Sequence, residues 1–100
     1  VFINSIVAGG TIIAGGSVQH SILFPRVHVG DEAVVRESLL FEGVVGGDNA
    51  RLNDCLVDKN VRIPDGETIG LDPDRDAKRF TVSAKGIVVV PKGYRFGSSD

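Results

Sequence analysis

Apolar residues recur along the chain with a period of 17 residues. Leu23, Leu40 and Val57 are 17 positions apart. Three more columns show the same spacing: Val27, Val44 and Val61; Gly30, Gly47 and Pro64; and Asp31, Asp48 and Asp65. A fixed period close to 20 residues is typical of solenoids, in which each copy forms one coil that stacks on the next. The sequence therefore predicts a repeat architecture.

A shorter period lies within each coil, because aliphatic residues follow one another largely in steps of six, six and five. They are Val7, Ile13, Leu23, Val29, Val35, Leu40, Leu52, Val57, Ile63 and Ile69. Valine and isoleucine favour strands over helices. This hexapeptide pattern predicts an all-β fold, a left-handed parallel β-helix with three short strands per coil and one tightened corner per coil. The slot after the aliphatic residue is often small, as at Gly30 and Gly47, which indicates a tight corner.

The repeat stops after Ile69 and Gly70. Residues 71–80 predict a short helix with Asp72 as its N-cap and Pro73 at its first position, and 87–90 predict a final strand ended by Pro91. We expect coils over 1–70, a capping helix and strand over 71–96, and a disordered tail over 97–100. Residues 3–6 match the end of a coil, which favours a piece of a longer protein.

Length and charge restrict the possible functions. One hundred residues suit one domain, and a net charge of −2 gives no indication of nucleic-acid binding. No membrane-spanning run or secretory pattern is present in the sequence. Cys55 occupies the slot of Ser21 and Ser38, which predicts a small buried side chain and not a reactive thiol. It is the single cysteine of the chain and cannot form an internal disulfide, so we expect a cytoplasmic protein.

The sequence predicts no reaction centre. A zinc site of three histidines is excluded because only His20 and His28 are present, and both occupy variable outward slots that favour solvated surface over the catalytic histidine of an acyltransferase. The aspartate column indicates corner residues that bind turn amides, with calcium binding as the less favoured alternative.

Two outward features remain. Phe24 and Phe41 lie one coil apart, which predicts an exposed aromatic stack that docks on another domain or subunit. Several bases lie near the predicted cap, and of these Lys59, in the last coil, and Lys92, just after the final strand, are candidates to converge on an anion. The other bases of this set are Arg62, Lys78, Arg79 and Lys85.

Five segments resemble the C-terminal β-helix domain of bacterial ADP-glucose pyrophosphorylase (glucose-1-phosphate adenylyltransferase). They are NSIVAGG at 4–10, SILFPRVHV at 21–29, VDKNVRIPDG at 57–66, DAKRF at 76–80 and GIVVV at 86–90. The resemblance implies an enzyme that makes ADP-glucose and pyrophosphate from ATP and glucose 1-phosphate with Mg²⁺, for glycogen synthesis. Its catalytic domain lies N-terminal to the β-helix and is absent from this chain.

The resemblance also implies a regulatory role. The domain is expected to support a homotetramer, to pack on its own catalytic domain and to help form a site for phosphorylated effectors, where Lys59 and Lys92 match the phosphate-contacting bases. No cofactor, metal, nucleic acid or membrane is expected for the fragment itself, whereas the full-length enzyme would use ATP and Mg²⁺. The alternatives are an independent hexapeptide acyltransferase and a β-helix module of another sugar nucleotidyltransferase.

Overall fold

Short strands make up most of the fold. A computed structural model describes residues 2–96, and the tail predicted for 97–100 lies outside that range. The strands in chain order are β1 (Phe2–Ile3), β2 (Ile6–Val7), β3 (Ile12–Ile13), β4 (Ser17–Gln19), β5 (Ile22–Leu23), β6 (His28–Val29), β7 (Val34–Arg36), β8 (Leu39–Leu40), β9 (Val45–Gly46), β10 (Arg51–Asn53), β11 (Cys55–Val57), β12 (Arg62–Ile63), β13 (Thr68–Ile69), β14 (Thr81–Val82) and β15 (Val88–Val90). One helix, α1, covers Pro73–Arg79.

Three sheets form the sides of a coil stack. The first contains β1-β4-β7-β10-β13, the second β2-β5-β8-β11-β15-β14 and the third β3-β6-β9-β12. Strands from successive coils pair in parallel, as where Leu23 lies opposite Leu40 and Leu56 opposite Leu39. Each coil thus contributes one strand to each sheet, and the predicted β-helix is confirmed.

The core fills the space between the three sheets. The buried apolar side chains include the predicted inward residues of the inner coils, among them Leu23, Leu40, Leu52 and Ile63. Two inward positions are absent from the predicted pattern. Val18 is fully buried opposite Val35, and Gly46 lies in the inward column between Val29 and Ile63. The glycine interrupts an otherwise branched aliphatic column.

The tightened corner precedes the second sheet and is built from a left-handed residue and a buried small polar residue. His20, Glu37 and Asp54 have φ values of 49°, 51° and 49°. The next residues are Ser21, Ser38 and Cys55, and all three are buried. The Ser38 amide donates to Ser21 Oγ at 3.1 Å, and the Cys55 amide donates to Ser38 Oγ at 3.4 Å. This ladder satisfies the corner amides from coil to coil.

The cap closes the C-terminal end of the stack. Helix α1 begins as predicted, because the Asp72 side chain accepts a hydrogen bond from the Arg75 amide at 3.2 Å and Pro73 follows it. Asp76 is buried and accepts from the Gly70 amide at 2.9 Å, which holds the helix on the last coil. Strand β15 extends the second sheet, and the unpredicted strand β14 pairs antiparallel to it. Within the described residues, no helix has the length and apolarity needed to cross a membrane.

Candidate functional site

Lys59 and Lys92 lie side by side at the capped end of the stack. Strand β15 pairs with β11 so that Val90 lies opposite Val57, and Lys92 and Lys59 each follow two residues later, in the turns after these strands. The Gly93 amide donates to the Lys59 carbonyl at 3.0 Å and fixes this alignment. Both lysines are exposed, and neither takes part in a salt bridge among residues 2–96. We call these two residues the lysine pair.

The lysine pair borders an open groove of about 540 Å³ at the same end. Its lining contains two cationic side chains and no carboxylate: Asn60, Arg62, Pro64, Gly93, Tyr94, Arg95 and Phe96. Asn60 follows Lys59 and Gly93 follows Lys92, so the groove begins where the lysine pair ends. We call it the arginine groove. Sequence reasoning noted Arg62 but missed Arg95, which lies beyond the last strand, where the repeat gives no register.

The other predicted bases belong to different surroundings. Arg79 Nη2 lies 2.9 Å from Glu67 Oε2 and 3.8 Å from Asp76 Oδ1, so its charge is neutralised within the cap. Lys78 lies on α1, and Lys85 lies in the turn between β14 and β15. The structure therefore brings together only part of the predicted basic set.

The outward side of the second sheet is apolar. Phe24 and Phe41 stack as predicted, with ring centroids 4.7 Å apart and planes inclined by 13°. Beside them runs an aliphatic column that sequence reasoning missed. It contains Ile6, Ile22, Leu39, Leu56 and Val89, which lie opposite one another on neighbouring strands. Ile6 is 66% exposed and Ile22 39% exposed. We call the two phenylalanines and this column the apolar face.

Comparison with known proteins assigns the chain to a family. Residues 1–90 match the family described as GlmU-like, C-terminal hexapeptide. The chain belongs to this family. Glucose-1-phosphate adenylyltransferase 2 of Vibrio cholerae serotype O1 is 48% identical to it over 98 residues, which are 98% of this hexapeptide domain and 24% of the relative.

Other relatives show the same partial coverage. Glucose-1-phosphate adenylyltransferase of Actinobacillus succinogenes is 45% identical over 87% of the hexapeptide domain and 20% of the relative. That of Deinococcus radiodurans is 48% identical over 93% of the domain and 23% of the relative. The domain spans about a quarter or less of the length of these relatives and matches their C-terminal part.

The remaining sequence candidates have structural roles in the hexapeptide domain. The Asp31 amide donates to Asp48 Oδ1 at 2.9 Å, and the Asp48 amide donates to Asp65 Oδ1 at 2.9 Å. The aspartate column is thus a corner ladder between coils, as predicted. Among residues 2–96 no group of three or more histidine, cysteine, aspartate or glutamate side chains is arranged to hold a metal ion.

The two histidines and the cysteine are also accounted for. His20 is exposed, and its Nδ1 lies 2.9 Å from Glu37 Oε2. His28 is exposed on the third sheet and occupies the same column as Val45 and Arg62. Burial raises the pKa of the Cys55 thiol from 9.0 to about 11, so the thiol stays protonated near neutral pH, as expected for a buried filler.

Proposed function

We propose that this hexapeptide domain is the C-terminal regulatory and oligomerisation domain of a glucose-1-phosphate adenylyltransferase. The full-length enzyme would convert ATP and glucose 1-phosphate to ADP-glucose and pyrophosphate in the cytoplasm, and its N-terminal catalytic domain would hold ATP and Mg²⁺. The proposal is supported by identities of 45–48% to the C-terminal parts of enzymes of that name. An independent acyltransferase is not favoured, since those relatives are adenylyltransferases.

The lysine pair is our candidate for the effector site. The observation that carries this part of the proposal is the pairing of β15 with β11, together with the hydrogen bond from the Gly93 amide to the Lys59 carbonyl. These contacts bring the turns that hold Lys59 and Lys92 together although the two residues are distant in sequence. Ammonium groups form charge-assisted hydrogen bonds to phosphate oxygens, and these are roughly twice as strong as neutral ones. Two such groups on adjacent turns suit the phosphate group of an effector.

The test uses the full-length enzyme with Lys59→Ala, Lys92→Ala and the double variant. We expect the activator concentration for half-maximal stimulation to rise about tenfold or more, because each lost contact to a charged group is worth roughly 1.5–3 kcal/mol. Turnover without activator should stay near normal. Phosphorylated glycolytic intermediates serve as activators and inorganic phosphate as inhibitor, and Lys85→Ala is the matched control. An unchanged activator response in both single variants would refute the assignment.

We further propose that the apolar face, with Phe24 and Phe41, docks on the N-terminal catalytic domain of the same chain. Two observations support this occupant. The relatives carry at least about three quarters of their length outside the matched segment. In addition, the Lys59 Nζ lies 5.8 Å from the Phe41 ring centroid, so a domain seated on the apolar face would also border the lysine pair.

Replacing both phenylalanines by alanine in the full-length enzyme tests the docking. We expect the two domains to unfold in separate thermal transitions, with faster proteolysis between them, because the contact that couples them has lost its aromatic part. Val34→Ala, an outward position on the first sheet, is the control. Dissociation of the oligomer with the domains still coupled would instead show that the face is a subunit interface, and unchanged behaviour would reject docking there.

A further inference from the structure

The arginine groove lies at the C-terminal edge of the third sheet, to which the described cap adds no strand. In the second sheet, β15 covers the last coil by pairing with β11. On the first sheet, α1 is held against the last coil through Asp76 and the Gly70 amide. The third sheet ends at β12 with no further strand among residues 2–96. Arg62 and Pro64, from β12 and just after it, line the groove.

Backbone chemistry at this edge differs from that of the inner coils. The His28 and Val45 amides donate to the Val44 and Val61 carbonyls of the next coil, both at 2.9 Å. Arg62 occupies the same column, and the part of the chain that the structure describes has no next strand to receive its N–H group. In the neighbouring column the Gly47 amide donates to the Ile63 carbonyl at 2.9 Å, but the last coil has Pro64 there, which has no N–H. Thus Arg62 supplies one backbone donor to the open edge.

The charged side chains of the groove form no ion pairs with the described residues. Arg26, Arg75 and Arg79 each form an ion pair with a glutamate. Within residues 2–96, by contrast, neither Arg62 nor Arg95 forms a salt bridge, and no carboxylate lines the groove. A guanidinium presents five N–H donors in a planar fork that matches phosphate and carboxylate oxygens. The groove therefore combines the guanidinium groups of Arg62 and Arg95 with the Asn60 side chain and the backbone N–H of Arg62.

From this arrangement we propose that the arginine groove is a second oxyanion site, which binds the phosphate group of a small phosphorylated metabolite through Arg62 and Arg95. It goes beyond the effector role of the lysine pair and does not require that role. The two sites are neighbours and differ in chemistry, because the groove offers planar bidentate donors where the lysine pair offers point charges.

The chain can be tested as it is, because its core is built from its own buried side chains. Inorganic phosphate is titrated into the ¹⁵N-labelled chain at constant ionic strength, and the amide shifts of Asn60, Arg62 and Gly93 give the dissociation constant. We expect saturable binding that weakens about tenfold in Arg62→Ala and in Arg95→Ala. Arg62→Lys keeps the charge without the fork and should also weaken binding.

Two control variants distinguish phosphate binding at the arginine groove from binding at the lysine pair. Arg36→Ala removes an exposed arginine of the first sheet that has no salt bridge, and it should leave phosphate affinity unchanged. Lys59→Ala should change it little. Loss of binding in Lys59→Ala with retention in both arginine variants would place the ion on the lysine pair and overturn the inference. Unsaturable binding, or equal affinity in all variants, would overturn it as well.

Discussion

Gly46 and Gly47 are adjacent, yet we expect opposite effects when each is replaced by alanine. Gly46 is an inward strand residue, and only one heavy atom outside its chain neighbours, the His28 carbonyl oxygen at 3.6 Å, lies within 4 Å of the Cβ that alanine would add. This is an ordinary contact distance. Glycine within a strand costs roughly 0.5–1 kcal/mol relative to alanine, and burying one methyl group contributes about 0.8 kcal/mol. Gly46→Ala should therefore stabilise the fold by about 1–2 kcal/mol.

At Gly47 the same methyl group has no room. Its Cβ would lie 2.6 Å from the Asp65 amide nitrogen and 2.7 Å from the Ile63 carbonyl oxygen. Both are backbone atoms of the next coil, so no side-chain rotation relieves the contact. Overpacking of this kind costs typically 1–3 kcal/mol. Gly47→Ala should thus destabilise the fold, since the coils would have to move apart at that corner.

Thermal and urea unfolding of the two single variants and the parent chain give the comparison. For a domain of this size a change of 1 kcal/mol shifts Tm by about 4–8 °C. Gly46→Ala should raise Tm and Gly47→Ala should lower it, with unchanged urea m-values. A lower Tm for Gly46→Ala would show that the interior beside it is already filled. An unchanged Tm for Gly47→Ala would show that the corner is not packed as tightly as the structure has it.

Two further predictions concern buried groups. Because burial raises the Cys55 pKa to about 11 from 9.0, the folded state holds the proton more tightly than the unfolded state. Stability should then fall as pH rises from about 9 to 11, by up to about 1.4 kcal/mol per pH unit. Subtracting the profile of Cys55→Ser isolates this slope, and identical profiles would contradict it. Asp76→Ala leaves the Gly70 amide without its carboxylate partner and should cost about 1.5–3 kcal/mol in urea unfolding. Asp74→Ala, exposed on the same helix, should cost little, and equal losses in the two variants would argue against the buried contact.

The coil stack was predictable because one physical rule repeats in each coil. An inward aliphatic residue on a short strand must be followed by a turn. The 17-residue period of the coils and the shorter steps within each coil are therefore both visible in the sequence. The rule failed where a residue departed from the pattern. Gly46 is inward without being aliphatic, and Val18 follows Ile13 by five positions in a first coil that is one residue shorter. Strand β14 was not predicted, because its two residues are too few to show a periodic pattern.

The candidate site was predictable only in part. The 17-residue period does not relate Lys59 to Lys92, because the chain between them includes the helix and β14. Their positions near the predicted cap suggested that they converge, and the family resemblance matched both to phosphate-contacting bases. The aliphatic column of the apolar face did leave a signal. In each coil the residue just before the inward residue of the second sheet is isoleucine or leucine, as at Ile22 before Leu23 and Leu39 before Leu40. Outward positions on the other sheets are mixed, because they include Arg36, Arg51 and His28 as well as Ile12, Val34 and Val45.

Ligand chemistry should concentrate at the capped end because the repeat loses its symmetry there. In the inner coils the strand backbone N–H groups bind the next coil, as the Val45 amide does with the Val61 carbonyl. Such coils can offer a ligand only their outward side chains. At the last coil the three sheets end differently, one beneath α1, one paired with β15 and one open at Arg62. Residues 92–96 have no counterpart in the repeat, so they can differ from it in charge and shape. A small anion should therefore bind the unused donors at this end, whereas a large partner should bind the apolar face along the second sheet.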